Sequence, residues 1–258
     1  MILASIRRGI FGRLVAAALC VALAGGVSLA SAATVPVAVA ANFTAVAQQL
    51  AAGFKAKTGN DLQLSFGASG ALYTQITQGA PFEVFLSADT SRPKQAIADG
   101  FGVAGSSFVY AVGKLVLYST SLDVSKGDVV LKAGAFQHIA IADPKAAPYG
   151  AAAVETLKAM GLTDAVAAKV VTGESIAQAQ QFIESGNAEL GFVALSQVIG
   201  KTTGSQWLVP AEFYKPIEQG AVLLKTGQGD AAAKAFLEYL KSDEAVKVIE
   251  KAGYAVGG

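Results

Sequence analysis

Apolar residues along the chain follow two spacings in turn, one typical of strands and one typical of helices. Residues 35–41 form a nearly continuous apolar run, after which Phe43, Val46, Leu50 and Phe54 recur every three or four positions. Two more strands are predicted at residues 62–66 and 82–86, followed by a helix at residues 69–78 and a helix that has Pro93 in its first turn. Strands that alternate with helices predict βαβ units and a mainly parallel sheet.

The pattern changes at residues 108–118, an apolar run that is too long, and too interrupted at Gly113, for one ordinary strand. A long strand that passes from one domain to another explains it. Beyond it we predict strands at residues 139–141, 190–195 and 221–224, and helices at residues 151–160, 164–170, 175–185, 230–241 and 244–251.

The chain is therefore predicted to be an α/β protein of two domains, each a mainly parallel sheet flanked by helices. The first domain takes residues 33–112 plus 219–258, and the second, residues 113–218, is inserted in it. The two hinge crossings are expected near Val112 and Glu218.

Residues 1–32 have the features of a secretory signal peptide. Three arginines lie at the start, residues 14–29 are apolar, and residues 30–32 read Ala-Ser-Ala, which matches an A-x-A cleavage site. We expect a cleaved, exported protein without a membrane anchor, beginning near Ala33. The Arg7-Arg8 pair leaves both the Sec and the twin-arginine route open.

Charge and composition exclude several functions once that segment is removed. Three of the 20 basic residues lie in it and none of the 19 acidic ones, so 17 basic residues remain against 19 acidic ones. A net charge near −2 predicts no nucleic-acid partner. The one cysteine, Cys20, leaves with the segment, and only one histidine, His138, is present. The carboxylates are scattered, so we expect neither a cation site nor a cofactor.

Two sets of residues suggest an enzyme, and both are incomplete. Ser91 and Lys94 lie one turn apart, as nucleophile and base do in penicillin-recognising serine hydrolases, but the Ser185-Gly186-Asn187 element lacks the expected acidic residue. A nucleophile at Ser69 would need His138 as its base, and residues 67–70 (Gly-Ala-Ser-Gly) close one residue too early for a hydrolase elbow. A helix cap is the stronger interpretation of Ser91, and a structural histidine is the stronger interpretation of His138.

A set of neutral hydrogen-bond donors stands at predicted helix starts in both domains. Asn42 is placed to cap the first helix, Ser69 opens the second, Ile176 follows Ser175 at a later one, and Tyr149 lies in a loop after a strand. The carboxyl ends of strands in open α/β sheets carry the ligand crevice, and helix starts there present free N–H groups. Converging donors would bind a small, fully ionised oxyanion; the alternative is that each residue is an ordinary cap.

These residues lie in stretches that resemble the periplasmic molybdate-binding proteins of ABC importers. The matching motifs are Ala40-Ala41-Asn42-Phe43, Phe66-Gly67-Ala68-Ser69-Gly70, Gly79-Ala80-Pro81, Val84-Phe85-Leu86-Ser87-Ala88-Asp89, Ala147-Pro148-Tyr149-Gly150 and Leu190-Gly191-Phe192-Val193-Ala194. The resemblance covers essentially the whole chain from about Ala33 to its end. It implies a two-domain periplasmic-binding-protein fold of type II that closes on an oxyanion, without turnover.

The resemblance also implies a set of ligand-binding residues: Asn42, Ser69, Tyr149, Ile176 and Ala41. Asn42 and the N–H of Ala41 match the first helix, Ser69 the second, and Ile176 a backbone N–H. Many family members place a tyrosine where this chain has Ala194; the branch with asparagine at the first position uses the tyrosine that corresponds to Tyr149.

The implied ligand is molybdate or tungstate, with sulfate as the alternative oxyanion. The five ligand-binding residues are expected to contact the oxygens of the oxyanion and not to coordinate a metal cation directly. The implied partners are the permease and the ATPase of an ABC transporter in the inner membrane. We expect a monomer located in the periplasm.

Overall fold

The computed structural model describes residues 32–256, which belong to one compact unit. The predicted signal peptide, residues 1–32, therefore lies outside the described residues except for Ala32. Within the described range no helix has both the length and the apolar character needed to cross a membrane.

The described chain contains strands in two groups of five. They are β1 (Thr34–Ala40), β2 (Asp61–Gly67), β3 (Val84–Leu86), β4 (Phe108–Gly113), β5 (Leu115–Ser119), β6 (Ile139–Ala142), β7 (Val170–Gly173), β8 (Leu190–Ala194), β9 (Ser205–Leu208) and β10 (Ile217–Leu223). One sheet has the order β2-β1-β3-β10-β4 and the other the order β7-β6-β8-β5-β9.

Helices cover these sheets. They are α1 (Thr44–Thr58), α2 (Ser69–Thr77), α3 (Ser91–Ala98), α4 (Gly127–Ala133), α5 (Pro148–Ala159), α6 (Thr163–Val166), α7 (Ile176–Glu184), α8 (Leu195–Val198), α9 (Ala231–Tyr239) and α10 (Asp243–Lys251). We call the first sheet with α1–α3, α9 and α10 lobe I, and the second sheet with α4–α8 lobe II.

Both sheets are mixed, although mainly parallel sheets were expected. In lobe I, β1 pairs with β2 and β3 in parallel, whereas β10 is antiparallel to β3 and β4. In lobe II, β6 is parallel to β7 and β8, whereas β5 is antiparallel to β8 and β9. The antiparallel pairs arise because β4, β5 and β10 carry the chain between the lobes instead of returning through a crossover helix.

The apolar run at residues 108–118 does cross between the sheets, but as two strands joined at Lys114. The chain returns between β9 and β10, and Val112 of β4 lies opposite Glu218 of β10 in an antiparallel pair. The two expected hinge positions are thus neighbours. The division into residues 33–112 plus 219–258 and residues 113–218 stays a prediction.

The first strand illustrates why the lobe I core is continuous. Val35, Val37 and Val39 point to one face of the sheet, where α1, α9 and α10 pack, and Ala38 points to the opposite face, which α2 and α3 cover. Because alternate residues of a strand face opposite sides, a strand covered on both faces must be apolar at nearly every position.

Two local predictions were wrong. The helix expected at residues 164–170 ends earlier, and Val170–Gly173 form strand β7. Asn42 does not cap α1, whose N-cap is Phe43 with no side-chain hydrogen bond. Instead Asn42 lies inside a short 3₁₀ helix, Ala41–Phe43, and its amide has other partners.

Candidate functional site

A small cavity lies between the lobes at the carboxyl ends of the strands. Eleven residues line it: Ala40, Ala41, Asn42, Gly67, Ala68, Ser69, Ala88, Ala147, Pro148, Tyr149 and Ile176. All five residues predicted to bind a ligand are among them. The volume open to the centre of a water-sized sphere is about 10 Å³, so the cavity admits one small compact species and no extended organic molecule.

Four helix starts meet at this cavity. Ala41 opens the 3₁₀ helix, Ser69 is the first residue of α2, Pro148 the first of α5 and Ile176 the first of α7. The first N–H groups of a helix have no partner within it, and they carry part of the positive end of the helix dipole. The cavity is therefore electropositive without a cationic side chain among the residues that line it.

The start of α7 is arranged so that its first N–H stays available. The hydroxyl of Ser175 caps the helix by accepting the N–H of Gln178 at 3.4 Å, and serine is a preferred residue at this position. The cap satisfies a later N–H, and that of Ile176 remains at the cavity wall. Strand β7, which the sequence did not indicate, ends at Gly173, shortly before the start of α7.

Ser69 is 1% exposed, and its hydroxyl acts as a hydrogen-bond acceptor within the protein. Its Oγ accepts the N–H of Ala88 at 2.9 Å. The N–H lies in the loop after β3, so the contact joins two of the strand ends that form the cavity. Since the oxygen is the acceptor here, the hydroxyl proton remains available to a species inside the cavity.

Tyr149 is 1% exposed and reaches across to the crossing strands. Its Oη accepts from Nε2 of Gln219 at 3.2 Å. Burial, followed by the neighbouring Tyr254 and Tyr110, raises its pKa well above the ordinary value for tyrosine. The hydroxyl is therefore neutral at physiological pH and keeps its proton.

Asn42 differs from the expected simple donor. Both hydrogens of its side-chain amide are used, one toward Oε1 of Gln219 and one toward Oη of Tyr254, each at 2.9 Å. In this arrangement its contribution to the cavity comes from the backbone N–H at the start of the 3₁₀ helix. Ser196 of lobe II donates to the carbonyl oxygen of Asn42 at 2.9 Å, so the residue also holds the lobes together.

Three residues that sequence reasoning missed form a buried layer behind the cavity. Gln219, Tyr254 and Tyr110 are 0%, 5% and 2% exposed, and they hydrogen-bond to Asn42, Tyr149 or one another. The one signal in the sequence was a glutamine next to Glu218 in strand β10, whose remaining residues are apolar or glycine. A buried amide in such a strand has to be hydrogen-bonded, but the pattern does not reveal its partners.

A larger cavity opens next to this one, with a volume of about 280 Å³. Its lining includes charged side chains of both signs, among them Asp89, Arg92, Glu155 and Lys215. A fully ionised anion would meet carboxylates there, so the small uncharged cavity is the better candidate site.

Comparison with known proteins agrees with this geometry. The family model described as "Bacterial extracellular solute-binding protein" matches residues 35–255. The molybdate-binding protein ModA of Rhodobacter capsulatus is 56% identical to the chain over 241 residues, which are 93% of this chain and 95% of that protein. The chain belongs to the ModA family of bacterial extracellular solute-binding proteins.

Solved structures confirm the fold. The periplasmic molybdate-binding protein of Azotobacter vinelandii superposes with a TM-score of 0.84 at 41% identity, over 87% of this chain and 100% of that one. The sulfate-binding protein SubI of Mycobacterium tuberculosis superposes with a TM-score of 0.68 at 15% identity, over 87% of each chain, which is a likeness of fold alone. The predicted family and the two-lobed α/β binding-protein fold are both confirmed.

The relatives are solute-binding proteins, so the prediction that the chain is not an enzyme is also confirmed. Two residues of the enzyme alternatives make contacts of a structural kind. Ser91 donates to the carboxylate of Asp89 at 3.0 Å in the first turn of α3. His138 is exposed, does not line the cavity, and its backbone N–H donates to Glu189 at 2.9 Å.

Proposed function

We propose that the chain captures molybdate, and also tungstate, in the cavity between the lobes and delivers it to the permease of an ABC transporter. The proposal places the protein in the periplasm as a monomer, exported through residues 1–32. The observation that carries it is the cavity itself: eleven lining residues without one charged side chain, at the meeting point of four helix starts.

The chemistry of the cavity suits a dianion that carries no proton. Molybdate is fully ionised at neutral pH and presents four acceptor oxygens, so it needs donors in every direction and is repelled by acceptors. The oxygens of Ser69 and Tyr149 each accept a hydrogen bond from the protein, so the hydroxyl hydrogens of both can be donated to the anion. The N–H groups of Ala41, Asn42 and Ile176 complete a shell of neutral donors.

Neutral donors also explain how such a site rejects similar anions. Sulfate has the same charge in a smaller tetrahedron, so a rigid shell sized for molybdate would lose hydrogen bonds to it. Each lost hydrogen bond to a charged group costs about 1.5–3 kcal/mol, so two or three of them give strong discrimination. Phosphate retains a proton at neutral pH, and this proton needs an acceptor.

Calorimetric titration of the purified protein with molybdate, tungstate, sulfate and phosphate tests the proposal. We expect one-to-one binding of molybdate and tungstate, with sulfate and phosphate much weaker. Heat with sulfate and none with molybdate would overturn the assignment and favour the sulfate alternative.

A further inference from the structure

Gln219 lies at the second crossing between the lobes and is completely buried. It does not line the cavity, yet its side chain contacts a candidate ligand-binding residue of each lobe. Oε1 accepts from Asn42 of lobe I at 2.9 Å, and Nε2 donates to Tyr149 of lobe II at 3.2 Å. One amide therefore joins the two halves of the candidate site.

The contacts define which way this amide faces. Besides Asn42, the hydroxyl of Tyr110 donates to Oε1 of Gln219 at 3.0 Å, and the carbonyl oxygen of Ser87 lies 3.2 Å from the same hydroxyl. A carbonyl oxygen has two lone pairs, and Asn42 together with the shared hydrogen of Tyr110 can occupy both. With the oxygen held by Asn42 and Tyr110, the NH₂ group faces Tyr149.

This orientation constrains the hydroxyl of Tyr149. Its oxygen receives a hydrogen from Gln219, so the hydroxyl hydrogen points either into the cavity that Tyr149 lines or toward the neighbouring hydroxyl of Tyr254. An acceptor in place of Nε2 would attract that hydrogen and turn the hydroxyl's oxygen toward the cavity. For a ligand with only acceptor oxygens, that reversal replaces an attraction with a repulsion.

The backbone around Tyr149 leaves the hydroxyl little choice of position. A Cβ added to Gly113 would lie 2.0 Å from Oη of Tyr149 and 2.9 Å from Nε2 of Gln219. Gly113 thus lets the strand approach the pair closely. The pairing of β10 with β4 shifts register between Gln219 and Gly220, and such irregularities commonly re-aim a side chain.

We propose that Gln219 is a positioning residue that keeps the Tyr149 hydroxyl a hydrogen-bond donor toward the anion and links it to Asn42 across the hinge. The inference rests on the proposed oxyanion-binding function. According to this inference, Gln219 contributes to the preference for fully ionised anions although it does not contact the ligand.

A double-mutant cycle tests this role. Gln219→Met removes the donor with little change in volume, and Tyr149→Phe removes the hydroxyl on which it acts. We expect Gln219→Met to weaken molybdate binding about tenfold in the wild-type background and less than about threefold in the Tyr149→Phe background. Equal losses in both backgrounds would mean that Gln219 does not act through Tyr149, which overturns the inference.

Two further variants separate positioning from simple destabilisation. Gln219→Glu puts an acceptor and a charge behind Tyr149, and we expect it to weaken molybdate binding by roughly a hundredfold, more than Gln219→Met. Thr156→Val is the matched control, because it removes a buried hydroxyl bonded to Ala152 on the same helix as Tyr149, away from the cavity. It should lower the melting temperature and leave the affinity unchanged.

The wild-type titration distinguishes the two possible failures. If the wild-type protein does not bind molybdate, the proposed function is wrong. If it binds molybdate and Tyr149→Phe weakens binding, but Gln219→Glu and Gln219→Met bind like the wild type, only the inference about Gln219 is wrong.

Discussion

Replacing Ser69 by alanine tests the candidate site most directly, because one hydroxyl serves both the fold and the ligand. Its oxygen accepts the N–H of Ala88 at 2.9 Å, and its hydrogen is available in the cavity. Ser69→Ala removes both interactions, so two separate measurements should change.

The expected sizes follow from the two interactions. A hydrogen bond to a charged group contributes about 1.5–3 kcal/mol, which corresponds to a loss of molybdate affinity of roughly 10- to 150-fold. A buried N–H left without its acceptor costs about 1–3 kcal/mol, so the free energy of unfolding of the ligand-free protein should fall by an amount in that range.

Ser87→Ala provides the matched control for this experiment. Ser87 is also fully buried, and its hydroxyl accepts the N–H of Asp89 at 3.4 Å, but it does not line the cavity. We expect this variant to lose stability in urea denaturation while its molybdate affinity in calorimetry stays that of the wild type. If Ser69→Ala behaves like Ser87→Ala in both assays, Ser69 is a structural serine and the ligand role assigned to it is wrong.

Two other substitutions address lobe contact and pH dependence. The N–H of Gly70 donates to the carbonyl oxygen of Ala146 across the cleft at 2.9 Å, and an added Cβ would lie 3.0 Å from Cα of Ala146. Gly70→Ala should therefore weaken molybdate binding by about 1–3 kcal/mol and leave the molybdate-saturated protein more extended in small-angle X-ray scattering; an unchanged profile and affinity would contradict this. Burial, followed by the adjacent Asp230, raises the pKa of Glu83 from 4.5 to about 7. The protonated carboxyl of Glu83 stabilises the fold fully below the pKa that it has in the unfolded chain, and this stabilisation is lost as the pH rises through about 7. Glu83→Gln should therefore show a smaller drop in melting temperature between about pH 5 and about pH 8 than the wild type. Identical drops in the two proteins would refute the raised pKa of Glu83.

Local sequence determined much of this protein because its candidate site is built from local units. A strand, a short loop and a helix start form one contiguous stretch, so spacing and residue type placed Ser69 and Ile176 at helix starts, and the family resemblance implied their part in ligand binding. The absence of cysteine after residue 20 and the near-neutral charge excluded the main alternatives. All five residues that the resemblance implied line the same cavity.

Only the tertiary structure decided how those units are joined and oriented. Asn42 and Gln219 are 177 positions apart and meet through the pairing of strands that no local pattern encodes. For the same reason the mixed sheets, the strand at Val170–Gly173 and the close approach of Gly113 to Tyr149 were not predicted. Spacing places a side chain at a strand end or a helix start, whereas the direction in which its hydrogens point depends on partners brought in from distant parts of the chain.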